Sequence, residues 1–245
     1  MTVGEFSGKM DKIRFAIAFV GRTGSSYLKG LLHSHRDAFC AGEVFAPAPR
    51  NLGPLDSLIG RVKPYVHAGL PVDAYLDRYI HARPVPAVGF KLPLDAMQQI
   101  PSLLPTIEAC RYRIVRMTRD NLLDWYISFR LATINNAWSS DKGTYRATSF
   151  RADPAEAAAA MAAQIESDRA VAEATASLPS IHLTYEELTG GKGLDRCLDF
   201  LELPRATLKS PYRKQRSRSQ RESIENYDEL RVALAGSRFA QHFVD

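Results

Sequence analysis

The sequence has 245 residues and a formal net charge of +5; 45% of its residues are apolar and 24% are charged. This length suits one large α/β domain with a full core, and the composition argues against a disordered or fibrous chain. The three cysteines are far apart and lack metal-ligand spacing, which argues against a disulfide framework or a zinc site. A reducing cytoplasm is the simplest setting, and the apolar run before Gly21 is too short for a membrane span.

The first predicted element is a buried strand over residues 15–20 (FAIAFV), followed by a turn over residues 21–26 and a helix from about Ser25. The helix N-terminus favours an anion such as phosphate or sulfate, and Arg22 can bind two oxygens of such a group. The turn is not a Walker A loop, because no lysine precedes a hydroxyl residue. An ordinary tight turn with serine caps remains the alternative.

Further strands are predicted within residues 37–45, 87–92, 112–118 and 180–184, and helices within residues 72–80, 93–103, 122–130, 154–178, 195–203 and 226–243. Asp120 or Asn121 can cap the helix that begins near Leu122. Residues 51–86 mix glycine, proline and charge, so we expect a substrate-side insertion there. Residues 209–221 are rich in lysine and arginine and predict an exposed loop.

Strands alternating with helices predict a single α/β domain over residues 1–245, with a mainly parallel central sheet flanked by helices. Ligands of such sheets bind beyond the carboxyl ends of the strands. Residues 22–26, Glu43 and Arg119 each follow a predicted strand, so we expect them to converge on one crevice. Ser128 lies nine residues after Arg119, about 13 Å along a straight helix, so spacing alone does not bring both to one phosphate.

Several of these segments resemble the PAPS-dependent sulfotransferases, in particular the bacterial carbohydrate branch of the nodulation-factor and trehalose type. GRTGSSYLKGLL at residues 21–32 is similar to the 5′-phosphosulfate loop of that family, and TRDNLLDWYISF at residues 118–129 to its 3′-phosphate motif. GEVF at 42–45, GFKL at 89–92, and RKQ followed by NYDEL near the C-terminus are also similar. The resemblance implies a P-loop-like sulfotransferase fold.

The resemblance also implies the donor, 3′-phosphoadenosine 5′-phosphosulfate (PAPS), with adenosine 3′,5′-bisphosphate (PAP) as product and no metal. Residues implied to hold the 5′-phosphosulfate are Arg22, Thr23, Gly24, Ser25, Ser26 and Tyr27. Residues implied to hold the 3′-phosphate are Arg119 and Ser128, with Arg213 and Lys214 of the basic loop closing over it. The acceptor would be a hydroxyl of a carbohydrate or related small molecule, and a homodimer is possible.

Glu43 is the candidate general base, because a carboxylate at a strand end can take the proton of an acceptor hydroxyl. Its similarity to the glutamate proposed for this role in the trehalose enzyme supports the choice. The alternative is that Glu43 only forms a salt bridge with Arg22 or caps a turn. Arg22 would stabilise the charge that develops on the leaving phosphate. Lys91 can either reach the crevice or form a structural ion pair.

Other side chains are weighed as replacements for these. His67 and His81 lie in the insertion and could meet the acceptor, whereas His182, in an apolar strand pattern, is expected to pack in the core. Trp125 and Trp138 are expected to pack rather than to stack on a sugar. Two other functions remain open: a nucleotide-dependent kinase or phosphotransferase on the same scaffold, and a basic nucleic-acid-binding protein without enzyme activity.

Overall fold

A five-stranded parallel sheet forms the centre of the molecule. The computed structural model describes residues 12–46, 62–138, 146–212 and 218–244. Within these ranges the strands are β1 (Ile13–Phe19), β2 (Ala38–Ala41), β3 (Ala87–Pro93), β4 (Arg113–Thr118) and β5 (Ser180–Thr184). Their order across the sheet is β2-β3-β1-β4-β5, and every neighbouring pair is parallel. The predicted α/β class with a mainly parallel sheet is confirmed.

Helices connect the strands and flank the sheet. In the described residues they are α1 (Ser25–Ser34), α2 (Val72–Leu76), α3 (Leu94–Gln99), α4 (Leu103–Ala109), α5 (Leu122–Asn135), α6 (Pro154–Ala174), α7 (Tyr185–Thr189), α8 (Lys192–Phe200), α9 (Gln220–Ser223) and α10 (Tyr227–Ala233). A π-helical turn, Asp77–His81, continues α2, and 3-10 turns lie at Tyr65–His67 and Ala240–His242. Among these residues, no helix combines the length and apolar character that crossing a bilayer requires.

The central strand β1 is buried on both faces, as its uninterrupted apolar run predicts. Phe15, Ile17 and Phe19 pack into the cluster under α1 and α8, whereas Ala16 and Ala18 face the cluster on the other side of the sheet. Gly89 on β3 permits the close approach of β1, because a Cβ there would lie 2.4 Å from the carbonyl oxygen of Phe15.

The carboxyl end of β1 is the switch point of the sheet. The chain leaves β1 toward β2 and β3 on one side, and later places β4 and β5 on the other side. A crevice opens at such a reversal in parallel sheets, and ligands of these folds bind there. The turn predicted to bind an anion follows β1 directly, so it lies at this position.

Some predicted elements differ in extent from those observed. The strand expected within residues 37–45 is shorter, Ala38–Ala41, because the chain leaves the sheet at Gly42 and turns at Val44 and Phe45. Helix α4, Leu103–Ala109, was not predicted, and the C-terminal helical stretch divides into α10 and a 3-10 turn. Of the predicted insertion, residues 62–86 are described and residues 51–61 are not; in the basic loop, residues 213–217 lie outside the described residues.

Candidate active site

The loop between β1 and α1 is shaped by two residues in the left-handed region. Arg22 has φ 71° and Gly24 has φ 84°. Thr23 is fully buried, and its hydroxyl donates to the carbonyl of Val20 at 2.9 Å. α1 begins at Ser25, and its N-cap residue, Gly24, has no side chain with which to cap it. The backbone N–H groups of the first turn therefore carry the partial positive charge expected of a helix N-terminus.

Lys91, Glu43 and Ser26 meet at the carboxyl ends of β2 and β3. The Lys91 ammonium donates to Glu43 Oε1 at 2.7 Å and to Ser26 Oγ at 3.0 Å. Both charged side chains are largely buried, with 6% of the Lys91 side chain and 18% of the Glu43 side chain exposed. The Lys91 ammonium also lies 4.4 Å from the centre of the Phe19 ring. A buried cation thus contacts the first turn of α1 and holds a largely buried carboxylate beside it.

Arg22 joins the loop to helix α5. Its Nε and one terminal nitrogen donate to Ser128 Oγ at 3.0 and 2.8 Å, and the other terminal nitrogen donates to the carbonyl of Trp138 at 2.7 Å. Nearby, the Trp125 indole N–H donates to the carbonyl of Gly21 at 2.9 Å. The 5′-phosphosulfate loop and the 3′-phosphate motif implied by the sequence are therefore in direct contact.

Arg119 follows β4 and is buried, with 9% of the residue exposed. A terminal nitrogen donates to Asp124 at 3.3 Å, and Nε lies 3.8 Å from a carboxylate oxygen of Glu186. The guanidinium covers the ring of Tyr185 at 4.8 Å. The same carboxylate of Glu186 accepts from the backbone N–H groups of Asp120 and Asn121 at the start of α5. These contacts hold Arg119 at the carboxyl end of β4.

Tyr185 lies between the two cationic regions. A Cβ at Gly24 would come within 2.5 Å of its ring, so the loop backbone packs directly on one side of Tyr185. Burial raises the pKa of the Tyr185 hydroxyl, and the nearby Arg119 opposes that shift. The residue was not singled out in the sequence, although its position directly after β5 was a signal available there.

The structure brings the sequence-predicted residues together in two groups. Arg22 lies with Ser128, and Glu43 lies with Ser26 through Lys91. Arg119 is instead bonded to Asp124, and Ser128 is bonded to Arg22. Tyr27 packs, partly buried, against the cluster beneath β1. Arg213 and Lys214 lie outside the described residues.

Comparison with solved structures shows which known fold this chain shares. The chain is similar to a sulfotransferase from Alicyclobacillus acidocaldarius, with a TM-score of 0.55 and 17% sequence identity over 94% of this chain and 92% of that one. The chain has the sulfotransferase fold. It also matches mouse sulfotransferase SULT7A1 complexed with PAP, with a TM-score of 0.47 and 12% identity over 94% of this chain and 87% of that one. No family model matches the sequence, and neither does any curated protein.

In this example of the sulfotransferase fold, His81 and His182 form hydrogen bonds to residues outside the loop that follows β1. His81 bonds Asp77 and the hydroxyl of Tyr112, and burial lowers its pKa. His182 was expected in the core, and that prediction is wrong: it is exposed on the edge strand β5, where it contacts the Thr118 hydroxyl at 2.7 Å. His67 is exposed on its 3-10 turn. No group of three or more His, Cys, Asp or Glu side chains in the described residues could hold a metal ion.

The two tryptophans of this sulfotransferase fold differ in environment. Trp125 packs in the core as expected, with 6% of the residue exposed. Trp138 was also expected to pack. It contacts Phe129, but 47% of its surface is exposed, so packing does not account for the whole side chain.

Proposed function

We propose that this chain is a sulfotransferase that moves a sulfuryl group from PAPS to a hydroxyl of a carbohydrate or related small molecule. The observation that carries the proposal is the contact of Lys91 with both Glu43 and Ser26 at the switch point of a sulfotransferase fold. The contact places a cation, a carboxylate and the N-terminus of α1 in one crevice. Sulfuryl transfer needs these three features, since a proton must leave the acceptor while negative charge develops on the donor.

The residues fit a nucleotide with an anion at each end. Arg22 and Lys91 are the cations near the N-terminus of α1, and Arg119 is the buried cation at the end of β4. The absence of a side chain at Gly24 lets the loop backbone pack on the ring of Tyr185, because a Cβ there would lie 2.5 Å from that ring. We assign the contribution of Thr23 to its backbone N–H, because its hydroxyl already donates to Val20.

Residues proposed to hold the 5′-phosphosulfate are Arg22, Thr23, Gly24, Ser25, Ser26 and Tyr27, and those proposed to hold the 3′-phosphate are Arg119, Ser128, Arg213 and Lys214. PAPS supplies the sulfuryl group, with PAP as the leaving group. Glu43 takes the proton of the attacking hydroxyl as general base. Arg22 and Lys91 neutralise charge that is greater in the transition state than in the bound donor, and this difference accelerates the reaction.

The Glu43–Lys91 salt bridge supports this assignment through its contact with the loop. Besides Glu43, the Lys91 ammonium donates to Ser26 in the first turn of α1. The ammonium therefore orients the carboxylate and at the same time reaches the proposed phosphosulfate loop.

Thermal unfolding with PAP, with ATP and magnesium, and with AMP tests the proposal. PAP at about 100 times its dissociation constant should stabilise the protein by about 2.7 kcal/mol, visible as a raised midpoint. Arg119→Ala should abolish the shift, whereas Arg36→Ala, which removes an exposed arginine after α1, should retain it. A raised unfolding midpoint with ATP and magnesium but not with PAP would instead favour the kinase alternative. A second experiment measures the transfer of labelled sulfate from PAPS to sugars.

A further inference from the structure

Trp138 exposes an aromatic ring beside the candidate site. Of the large apolar side chains that the structure shows exposed within its described ranges, four are Val or Ile and only Trp138 is aromatic. Trp138 comes two residues after Asn136, the C-cap of α5. Asn136 adopts a left-handed conformation, φ 46°, and the chain turns there. This turn places the indole ring against Phe129, one turn beyond Trp125.

The ring ends a series of three aromatic side chains that starts at the anion-binding loop. Trp125 donates to the carbonyl of Gly21, and its ring stacks on Phe129 at 5.4 Å with an interplanar angle of 10°. Phe129 meets Trp138 edge to face at 6.0 Å. Exposure rises along the series, from 6% at Trp125 to 47% at Trp138. The series therefore supports a fixed apolar surface at the rim of the site.

The backbone of Trp138 is tied to the cation of that site. Its carbonyl accepts from Arg22 at 2.7 Å, while the rest of the Arg22 fork is bonded to Ser128. The indole ring thus belongs to the residue that contacts the cation assigned to the sulfuryl end of the donor. Any residue could supply the carbonyl, so this hydrogen bond does not account for a tryptophan here. A half-exposed indole gains little from burial on folding, and its remaining surface is available to a ligand.

We propose that Trp138 is the platform on which the pyranose ring of a carbohydrate acceptor stacks, an inference that rests on the proposed function. The faces of a pyranose carry C–H groups with partial positive charge, and the indole face is negative. The hydroxyls lie around the edge of the sugar, so they stay free to hydrogen-bond to polar side chains of the site while the ring stacks. Adenine of the donor is the competing occupant. The acceptor is favoured because the carbonyl of Trp138 accepts from Arg22, which is assigned to the sulfuryl end of the donor. Adenine competes because Arg22 also donates to Ser128, which is assigned to the 3′-phosphate.

Fluorescence titration tests the platform without requiring turnover, since the chain contains two tryptophans and one of them is buried. Methyl α-glucoside, trehalose and N-acetylglucosamine are added with and without PAP, and the open-chain polyol sorbitol is the matched ligand control. We expect the pyranoses, and not sorbitol, to change the emission of the native protein. Titration calorimetry, which does not use the indole as reporter, compares the variants: Trp138→Ala should weaken pyranose binding about tenfold, Trp138→Phe should retain most of it, and Ile134→Ala, an exposed apolar control on α5, should leave it unchanged.

The outcomes separate the platform from the proposed function. Loss of PAP affinity in Trp138→Ala, with pyranose binding intact, would assign the ring to adenine and overturn the inference. Equal pyranose affinity in the native protein and Trp138→Ala, or no binding of any of the three sugars to the native protein, would also overturn it. A PAP shift that persists in either case would leave the sulfotransferase proposal standing, whereas pyranose binding at Trp138 without a PAP shift would support the platform and remove that proposal.

Discussion

Arg22 and Ser128 are 106 residues apart in the sequence, and the arginine donates to the serine hydroxyl from two nitrogens, at 3.0 and 2.8 Å. The contact joins the loop after β1 to the middle of α5. The hydroxyl, together with the carbonyl of Trp138, orients the planar fork that we assign to the donor. The hydroxyl and the fork form one unit, so substitution of the serine should act through the arginine.

Ser128→Ala should weaken PAP binding about tenfold, because a hydrogen bond to a charged group contributes about 1.5 kcal/mol and the Arg22 fork loses an orienting partner. Titration calorimetry with PAP measures the change. Ser128→Thr keeps a hydroxyl and should bind more tightly than the alanine variant. Ser167→Ala removes a hydroxyl that bonds only within α6 and serves as the control; equal affinities for both alanine variants would contradict the prediction.

Glu43→Gln should lower kcat about 100-fold while PAP binding persists, because the amide cannot accept the proton of the acceptor. Glutamine keeps an oxygen that can accept from Lys91. Glu202→Gln alters another salt-bridged glutamate, one that pairs with Arg113 at the start of β4, and should retain activity. Steady-state rates with labelled PAPS decide the matter, and full activity in Glu43→Gln would assign the base elsewhere.

Lys91→Met should lower the free energy of unfolding by about 3 kcal/mol, because it leaves the carboxylate of Glu43 buried without its ammonium. Adding Glu43→Gln to Lys91→Met should recover part of that loss. Urea unfolding of the two single variants and the double variant gives the coupling between the residues. Arg205→Ala breaks exposed ion pairs and should cause no measurable change. Strictly additive effects at Lys91 and Glu43 would refute the coupling.

Gly24→Ala should destabilise the fold more than Gly69→Ala. Both glycines have positive φ, 84° and 63°, but a Cβ at Gly24 meets Tyr185 at 2.5 Å whereas Gly69 has no atom within 4 Å of that position. Gly69→Ala therefore measures the conformational cost alone, about 1 kcal/mol, and the difference measures the steric one. Urea unfolding compares the two, and Gly24→Ala should also lose the PAP shift. Equal destabilisation would mean that the Tyr185 ring moves freely.

Asp168 on α6 should make stability fall as pH rises. Burial raises the pKa of its carboxyl from 3.8 to about 7, although a hydrogen bond from Gln164 opposes the shift. Between these values the folded chain keeps a proton that the unfolded chain has lost, so the contribution present near pH 4 disappears by about pH 7. Asp168→Asn should match the native protein at pH 4 and exceed its stability at pH 8.

Denaturant unfolding at both pH values measures this difference. Asp228→Asn is the control, because the hydrogen bond from Arg221 lowers the pKa of Asp228, and loss of that charge should bring no gain at pH 8. A native-like pH profile in Asp168→Asn would show that this carboxyl does not titrate in the predicted range.

The sequence predicts those elements that depend only on residues close together in the chain. The apolar run of β3 and the helix start at Asn121, whose side chain accepts from the N–H of Asp124, could both be read from the sequence. The Lys91–Glu43 contact could not, because it depends on β2 lying beside β3 rather than beside β1. The exposure of His182 likewise depends on β5 being an edge strand, which leaves an apolar-looking segment half exposed.

The position of Tyr185 has a further consequence. Its ring lies between the backbone of Gly24 and the guanidinium of Arg119, so one rigid aromatic side chain separates the two regions to which we assign the phosphates of the donor. We expect a ligand with a negative group on each side of the ribose, such as a 3′,5′-bisphosphate, to contact both the loop and Arg119. A diphosphate chain on one side of the ribose would contact only one of them. The protein would then distinguish nucleotides by the placement of their phosphates on either side of the Tyr185 ring, rather than by contacts with the base.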